Sequence, residues 1–456
     1  MIDDLTCFKS YDVRGDLTKN FDPRICYRIS RSFARFLRAQ KVVVGRDARE
    51  SSPKLLDSIC EGLMDEGVEV LDIGLAGTEE MYWATTEYEA SGGIEVTASH
   101  NPINFNGLKL VKFGSNPVGK DELLEIKRLA EVTPFDKLKP KGARIDISRG
   151  ARANYVKKVL SFVDIGTFGD FKIVVNCGNG AAGPTFDCIA DEIKKINPRI
   201  NFHRMHHDVN SSFPNGIPNP ILPKTHPRNQ KKILETGSDL GIAFDGDFDR
   251  CFFFDEKGNF VPGEYIVGLL AQIFLNKEPG ATIVHDPRAI WNVQDIVNAH
   301  GGKSVLSLTG HNFVKRVMRD NEAVYGGEMS AHHYFKEFSY CDSGMIPWLL
   351  ILEMMSRTNK SLSNLIADQK SRFPSSGEIN FGIKNVDDSL KKVIDFYQQL
   401  YSQRDDFDGL SLTFDSWRFN LRKSNTEAVV RLNVESQGDP DLVAQKVQEI
   451  KSLLNS

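Results

Sequence analysis

Apolar residues along the first third of the chain alternate between strand-like runs and helical spacing. Lys41–Gly45 is a β-branched run, and Ser52 after it is a candidate helix N-cap. Apolar residues then recur at helical spacing at Leu55, Ile59 and Leu63. Val68–Ile73 is a second apolar run. A strand, a helix and a strand within about 30 residues predict one unit of a parallel α/β sheet.

Two further blocks repeat this alternation, and the last block differs from them. The second block predicts strands at Lys172–Asn176, Leu240–Phe244 and Cys251–Phe254. In the last block a helix near Asp387–Tyr401 precedes three strand-like runs, Leu410–Phe414, Trp417–Leu421 and Ala428–Val434. That order is typical of an α+β domain with an antiparallel sheet. We therefore expect an α/β protein with domains at 1–150, 151–257, 258–372 and 373–456.

Three short apolar strands in the first three blocks run into polar loops. They are Gly93–Thr97, Gly241–Asp245 and, more loosely, Ala323–Glu328. In open α/β sheets, ligands bind at the carboxyl ends of strands. The repeat predicts three similar α/β domains whose loops could face one cleft, followed by the α+β domain.

Composition narrows the class of protein. The chain has 456 residues, a net charge of -4 and 41% hydrophobic residues, so it has ample material for cores and gives no support to nucleic acid or an anionic membrane as a partner. Its apolar runs fall short of the roughly 20 residues of a membrane helix. Without an N-terminal apolar run or a Cys-x-x-Cys pair among its 7 cysteines, the chain is expected to be cytoplasmic with reduced thiols.

The strongest local motif is an acidic turn between two apolar strands. Asp245, Asp247 and Asp249 alternate with other residues, and such carboxylates can converge on one Mg²⁺ or Ca²⁺ ion. An EF-hand loop is disfavoured, because its sixth position is Arg250 rather than Gly and the strand-like Cys251–Phe254 follows at once. A solvated acidic turn is the structural alternative.

Two other segments are ambiguous by themselves. Thr97–Pro102 is typical of a turn closed by Asn-Pro, since Ser99 beside His100 in sequence does not make a catalytic triad. Gly178–Gly183 matches the dinucleotide fingerprint, but no acidic residue ends a second strand about 20 residues later. We favour a tight strand–helix turn over a nicotinamide dehydrogenase.

Two late segments offer groups that suit a sugar phosphate. Arg422–Glu427 joins two predicted strands and carries a dense set of donors that suits phosphate, although alone it is typical of a polar hairpin. Gly327–His333 contains a carboxylate, a hydroxyl and imidazoles that can bind sugar hydroxyls. Zinc is disfavoured there because adjacent histidines point apart and no third ligand is nearby in sequence.

These loops, together and in this order, resemble the α-D-phosphohexomutase superfamily over essentially the whole chain. Within it the bacterial phosphomannomutase branch is most similar: Lys9–Gly15 resembles its N-terminal loop and Glu328–Ser330 its sugar-binding loop. Phosphoglucosamine mutases tend to carry Gln in place of Met329. The resemblance implies four domains around a central cleft.

The resemblance also implies a role for each matched residue. Ser99 would be phosphorylated and, with Asp245, Asp247 and Asp249, would hold Mg²⁺. Among the implied catalytic residues, Arg14 and Arg250 would neutralise the phosphoryl group that Ser99 transfers. Lys109 and His332 would be the proton-transfer candidates, and His311 a supporting residue. The implied substrate-binding residues are Tyr11, Arg288, Glu328, Ser330, Arg422, Ser424, Asn425 and Thr426.

The implied reaction interconverts mannose 6-phosphate and mannose 1-phosphate through a 1,6-bisphosphate, with a hexose 1,6-bisphosphate as activator. A monomer or homodimer would supply GDP-mannose for lipopolysaccharide or capsule. Phosphoglucomutase or dual activity, and a sugar-phosphate-binding protein without turnover, are alternatives. Ala428 in place of Pro and Arg288 in place of Lys depart from the family pattern and leave substrate preference open.

Overall fold

A computed structural model describes residues 4–135, 139–383, 385–423 and 429–455. The chain forms two compact units. The first comprises Met1–Phe260 and Ala331–Asn359, and the second comprises Val261–Ser330 and Lys360–Ser456.

Helices and strands are numbered along the chain. The α-helices are α1 (Pro23–Leu37), α2 (Ser52–Asp65), α3 (Thr78–Glu87), α4 (Lys120–Val132), α5 (Ser148–Leu160), α6 (Ala182–Ile196), α7 (His226–Thr236), α8 (Gly263–Lys277), α9 (Trp291–Ala299), α10 (His311–Asp320), α11 (Met345–Thr358), α12 (Leu362–Arg372), α13 (Val386–Tyr397) and α14 (Pro440–Asn455).

The strands are β1 (Val13–Asp16), β2 (Lys41–Arg46), β3 (Glu69–Leu75), β4 (Gly92–Val96), β5 (Phe105–Lys112), β6 (Asn116–Pro117), β7 (Arg144–Asp146), β8 (Lys172–Asn176), β9 (Asn201–Met205), β10 (Leu240–Phe244), β11 (Cys251–Phe254), β12 (Phe260–Val261), β13 (Thr282–His285), β14 (Lys303–Leu306), β15 (Tyr325–Gly327), β16 (His333–Phe335), β17 (Cys341–Asp342), β18 (Ile379–Gly382), β19 (Gln403–Asp405), β20 (Leu410–Thr413), β21 (Trp417–Lys423) and β22 (Val429–Ser436).

The first unit contains two mixed sheets. One has the order β1-β5-β4-β2-β3-β7, in which β4, β2, β3 and β7 are parallel and β5 is antiparallel to both β4 and β1. The other has the order β11-β10-β8-β9, in which only β11 is antiparallel to its neighbour. The predicted strands of the second block are therefore confirmed.

The second unit contains a parallel group of strands and an antiparallel sheet. Strand β13 pairs in parallel with β14 and with β15. The antiparallel sheet has the order β18-β22-β21-β20-β19. The fold class, α/β domains followed by an α+β domain, is confirmed.

One strand order occurs three times along the chain. In the groups β3-β2-β4, β9-β8-β10 and β14-β13-β15, the first strand in sequence is central, the second lies on one side and the third on the other. The third strands are those of the sequence repeat, and each leads from its carboxyl end into a polar loop. Ligand-binding loops lie at such ends in open α/β sheets.

Local sequence signals agree with most element boundaries. Asp22 caps α1 by accepting a hydrogen bond from the Ile25 backbone N–H at 2.8 Å, and the apolar face of α1 is buried. The Gly178 segment is a strand–helix turn between β8 and α6. The prediction that Ser52 is the N-cap of α2 was wrong. The cap position is Ser51, and the Ser52 hydroxyl instead donates a hydrogen bond to Asp47 Oδ1 at 2.6 Å.

The prediction of three strands in the last block was incomplete. Strands β18 and β19 complete the antiparallel sheet at its two edges. Both are short, and their residues are half-buried or exposed, so they lack the apolar run that marks a buried strand. Among the described helices, none combines the length and the hydropathy needed to span a membrane.

Candidate active site

Ser99 lies in the loop that follows β4 and is 6% exposed. Its hydroxyl donates a hydrogen bond to Asp245 Oδ2 at 2.7 Å, and its Oγ lies 3.1 Å from His100 Nδ1. The backbone of Ser99 is left-handed, with φ of 46°. This conformation costs a non-glycine residue on the order of 1–3 kcal/mol and is concentrated at functional sites.

The loop after β10 approaches the Ser99 loop closely at Gly246. A Cβ atom at Gly246 would lie 2.5 Å from the Ser99 carbonyl oxygen, so a side chain there would force the two loops apart. Glycine at this position therefore allows the acidic turn and the serine loop, which are distant in sequence, to share one site.

Three carboxylates converge beside Ser99. Asp245, Asp247 and Asp249 are nearly fully buried, and ligand oxygens of the three lie within 4.8 Å of one another. The Oδ1 atom of each is buried and has no hydrogen-bond partner among the described residues. Because hard divalent cations such as Mg²⁺ prefer carboxylate oxygens, this donor set fits the metal that the resemblance implies.

Lys109 reaches the same carboxylates from β5. Its Nζ lies 2.8 Å from Asp247 Oδ2 and 2.5 Å from Asp249 Oδ2. Burial opposes protonation, but the two carboxylates outweigh it and raise the pKa of Lys109. Burial and the charge of Asp247 raise the pKa of Asp249 to about 6. Lys109 therefore keeps its proton at neutral pH and offsets part of the negative charge.

Two of the predicted arginines also lie in the first unit. Arg250 donates to Asp245 Oδ2 from Nε at 3.0 Å and from Nη2 at 2.7 Å. Its Nη2 also lies 3.5 Å from Ser99 Oγ. Arg14, on β1, donates to the Asn101 side chain at 3.1 Å. The Arg250 guanidinium therefore contacts Asp245, which accepts the hydrogen bond of Ser99. The Arg14 guanidinium contacts Asn101, two residues after the serine.

His332 joins the first unit through Asp342. Its Nδ1 lies 2.9 Å from Asp342 Oδ2, and one ligand atom each of Asp249, His332 and Asp342 lies within 4.8 Å of the others. The sequence offers His332 no nearby ligand partner, but the fold brings two carboxylates to it. The neighbouring His333 is fully buried.

The second unit gathers the predicted sugar-binding residues. Glu328 Oε1 accepts a hydrogen bond from the backbone N–H of Gly310 at 2.9 Å, and Arg288 Nη2 donates to Ser330 Oγ at 3.2 Å. His311 follows Gly310 directly as the first residue of α10. The structure therefore places His311 near the Glu328 loop, within the second unit.

Arginine side chains surround one carboxylate in the second unit. Arg288 Nη1 donates to Glu378 Oε2 at 3.0 Å. Arg422 and Arg431 approach the same carboxylate to 3.6 Å and 3.8 Å. Burial and the charge of Arg288 lower the pKa of Arg422, whose Nε and Nη2 find no hydrogen-bond acceptor among the described residues. Arg288 also pairs with Asp286 at 2.7 Å, and Arg422 lies 3.6 Å from Asp408, so the donors that suit an anion such as phosphate are the Nε and Nη2 atoms of Arg422.

Tyr11 is half-buried in the loop before β1. The described residues do not include Ser424, Asn425, Thr426 or Ala428, the last of which departs from the family pattern.

Several residues that take part in the contacts around Ser99 and around Glu378 belong to no motif identified in the sequence. They are Asp47, Arg49, Thr78, Asp342, Glu378 and Arg431. Thr78, for example, donates to Asp247 Oδ2 at 2.6 Å. One signal was available: Asp47-Ala48-Arg49 and Asp286-Pro287-Arg288 share the same Asp-x-Arg spacing just after a strand. Both triplets follow the central strand of a repeat, β2 and β13, whose carboxyl end adjoins that of the third strand.

His100 also belongs to the Ser99 site. Burial, together with the charges of Arg250 and Arg14, lowers the pKa of His100 well below its usual range. The imidazole beside Ser99 Oγ is therefore neutral at physiological pH. Read alone, the segment that contains it suggested only a turn.

Protein-family models match the chain in four consecutive segments. They describe phosphoglucomutase/phosphomannomutase, with alpha/beta/alpha domain I over residues 6–136, domain II over 145–258, domain III over 262–373 and the C-terminal domain over 384–453.

Curated relatives match the chain over its length. A phosphomannomutase from Escherichia coli is 49% identical over 454 residues, covering 99% of this chain and 99% of the relative. A phosphomannomutase from Salmonella montevideo is 48% identical over 462 residues, covering 100% of each chain.

A solved structure also has this fold. The crystal structure of a phosphoglucomutase/phosphomannomutase family protein from Burkholderia thailandensis matches with a TM-score of 0.86 at 27% identity, covering 100% of this chain and 98% of that chain.

Proposed function

The chain belongs to the phosphoglucomutase/phosphomannomutase family, and from that premise we propose that it is a phosphomannomutase, an isomerase of mannose 6-phosphate and mannose 1-phosphate. One observation carries the reaction type: the Ser99 hydroxyl donates to Asp245 within a buried set of three convergent carboxylates. Identities of 48% and 49% to proteins named phosphomannomutase support the substrate class.

Ser99 is the group that carries the phosphoryl unit. From phosphoserine the P–Oγ bond breaks as the C1 hydroxyl oxygen of mannose 6-phosphate bonds to phosphorus; the C1 hydroxyl proton passes to a base, and Ser99 Oγ takes up a proton. In the second transfer the bond between phosphorus and the C6 oxygen of mannose 1,6-bisphosphate breaks as Ser99 Oγ bonds to that phosphorus, and the serine hydroxyl proton passes to a base while the C6 oxygen takes up a proton. Mannose 1-phosphate leaves, and phosphoserine is regenerated.

Asp245, Asp247 and Asp249 would hold Mg²⁺. Bound there, Mg²⁺ would neutralise negative charge on the phosphoryl group during transfer. The arginine that pairs with Asp245, Arg250, lies within reach of Ser99 Oγ and stabilises charge on that oxygen.

Lys109 and His332 have different roles in the reaction. Lys109 stays protonated because two carboxylates contact its ammonium, so it neutralises charge rather than accepting a proton. Of Lys109 and His332, His332 is therefore the proton acceptor. Asp342 Oδ2, which lies 2.9 Å from His332 Nδ1, orients the ring so that Nε2 can take the proton.

The second unit supplies recognition. Glu328 and Ser330 bind sugar hydroxyls, and Arg288 and Arg422 bind the phosphate that is not reacting. Because the bisphosphate must present each phosphate in turn, a guanidinium site that accepts either one suits the reaction. A hexose 1,6-bisphosphate would activate the protein by phosphorylating Ser99, and the mannose 1-phosphate formed would supply GDP-mannose synthesis.

Replacement of the serine tests the reaction type. Ser99→Ala should lower kcat by at least about 10³-fold while the thermal midpoint stays near that of the parent. Ser58→Ala, on α2, is the matched control and should retain activity. Phosphate incorporated at Ser99, followed by mass spectrometry, separates an enzyme from a binding protein without turnover. A fully active Ser99→Ala variant would contradict the proposal.

Substrate preference is tested by parallel initial rates. Mannose 1-phosphate and glucose 1-phosphate are compared with Mg²⁺ and a trace of glucose 1,6-bisphosphate. A strong mannose preference is the expected result. Comparable rates would instead identify a dual phosphomannomutase/phosphoglucomutase, an activity suggested by the joint name of the family.

A further inference from the structure

A single buried guanidinium binds the loop that carries Ser99. Arg49 Nη2 donates to the carbonyl oxygens of Ser99 at 2.9 Å and Asn101 at 2.6 Å. Arg49 Nη1 donates to the carbonyl oxygens of Pro102 at 2.9 Å and Phe105 at 3.1 Å. Arg49 is 1% exposed, so water does not compete for these four hydrogen bonds. One side chain therefore spans the loop from the serine to the start of β5.

Asp47 holds the near end of the same loop. Its Oδ1 accepts the backbone N–H of Arg49 at 3.0 Å, and its Oδ2 accepts the backbone N–H of Ala98 at 3.3 Å. Arg49 Nε lies 3.4 Å from Asp47 Oδ2. Both residues follow β2, which pairs in parallel with β4, so the carboxyl ends of these strands bring them to the Ser99 loop.

The third repeat carries the same pair of residues, and its aspartate makes the same two kinds of backbone contact. After β13, Asp286 Oδ1 accepts the backbone N–H of Arg288 at 3.0 Å, and Asp286 Oδ2 accepts that of Met329 at 2.8 Å. Arg288 then reaches Ser330 Oγ at 3.2 Å. In both repeats an Asp-x-Arg triplet after the central strand therefore holds the functional loop after the third strand.

The Ser99 loop needs such a support. Ser99 has φ of 46°, in the left-handed region, and a conformation of this kind persists only when its surroundings enforce it. Carbonyl oxygens spread along a loop can be joined by the planar fork of a guanidinium, whereas a lysine ammonium places its donors at one point. Arg49 and Asp47 supply that enforcement.

We propose that Arg49 is a positioning residue for phosphoryl transfer at Ser99, an inference that rests on the proposed function. It acts through the loop backbone and keeps Ser99 Oγ beside Asp245 and Arg250. A misplacement of about 1 Å can lower a rate by about 10²-fold, so loss of the guanidinium fork should affect kcat more than KM.

The test compares Arg49→Lys with Arg28→Lys. Arg28 is a matched control because it also donates to several backbone carbonyls, those of Ala130 at 2.6 Å, Glu131 at 3.2 Å and Thr133 at 3.0 Å, away from Ser99. Arg49→Lys should lower kcat by about 10²-fold with KM within about twofold. Arg28→Lys should leave both unchanged.

Hydrogen–deuterium exchange of the full chain without substrate gives an independent readout. Amides of residues 97–106 should exchange faster in Arg49→Lys and at the parent rate in Arg28→Lys. Unchanged exchange in Arg49→Lys overturns the proposal, as does faster exchange with an unchanged kcat. An inactive parent enzyme would overturn the proposed function and with it the catalytic consequence, while the exchange would still decide whether Arg49 holds the loop.

Discussion

The two units leave atoms of oppositely charged side chains buried without hydrogen-bond partners among the described residues. In the first, three aspartates converge beside Ser99, and each keeps one oxygen without a hydrogen-bond donor among the described residues. In the second, Arg288, Arg422 and Arg431 surround Glu378, and Arg422 keeps two buried nitrogens without a hydrogen-bond acceptor among the described residues. One cluster keeps buried acceptor atoms for a cation, and the other keeps buried donor atoms for an anion.

The difference shows how a folded chain can prepare for two ligands of opposite sign. A buried charge without a partner destabilises the fold, and a ligand of opposite charge removes that cost. Burial and the charge of Asp247 raise the pKa of Asp249 to about 6, although Lys109 contacts it. Glu378 responds in the opposite way: burial would raise its pKa, but the arginines, led by Arg288, lower it.

The largest expected effect comes from removing one carboxylate of the first cluster. Asp247→Asn should lower kcat by about 10²–10³-fold, because the proposed metal site would lose a charged ligand and Lys109 would lose a partner. The thermal stabilisation of the parent by Mg²⁺ should be absent in this variant.

Asp187→Asn is the control for this change. Asp187 belongs to the same unit and pairs with Arg204 and His207. It is distant in sequence from Asp245, Asp247 and Asp249. Its variant should keep both the activity and the response to Mg²⁺. If Mg²⁺ still raised the thermal stability of Asp247→Asn, the three carboxylates of the first unit would not be the cation site, and the comparison would fail.

The next effect is a pH dependence in the second unit. Burial, reinforced by Glu435 and Asp286, raises the pKa of Glu264 to about 7. Since the folded state binds this proton more tightly than the unfolded state, the free energy of unfolding should fall as pH rises from about 4.5 to about 7, by up to ~3 kcal/mol. Glu264→Gln should remove this slope in urea titrations across that range, whereas the exposed Glu278→Gln should keep it. An unchanged slope in Glu264→Gln would show that Glu264 is charged.

A smaller effect is expected at the carboxylate among the arginines. Glu378→Gln should lower the free energy of unfolding by about 2 kcal/mol, because three guanidiniums lose their shared partner. Inorganic phosphate should then stabilise the variant more than the parent, as an external anion replaces the carboxylate. Equal stabilisation of the two proteins by phosphate would mean that the cluster does not bind anions.

The smallest effect concerns the shape of the cation. Arg422→Lys keeps the charge but loses the planar fork, so KM for mannose 1-phosphate should rise about tenfold with kcat little changed. Arg404→Lys provides the control, since Arg404 is an exposed arginine that pairs with Asp406. A fall in kcat at constant KM would place Arg422 in the chemical step rather than in binding.

The features of the fold and the site that could be predicted depend on residues that are close to one another in sequence. The spacing of apolar residues predicted the strand–helix–strand units, since backbone periodicity decides which side chains share a face. The alternate spacing of Asp245, Asp247 and Asp249 predicted that their oxygens converge, because all three belong to one tight turn. The short polar edge strands β18 and β19 escaped prediction because pairing with β22 and β20, not an apolar run, holds them in place.

The sequence by itself determined the class of fold, the acidic turn and, through its resemblance to a family, the serine beside it. Only the tertiary structure decided the partners: Arg49 with the Ser99 carbonyl oxygen, Lys109 with the acidic turn, Asp342 with His332, and Glu378 with the arginines. Each of these contacts joins residues from different loops or strands. Strand order and register, which no local pattern encodes, bring such residues within hydrogen-bond distance.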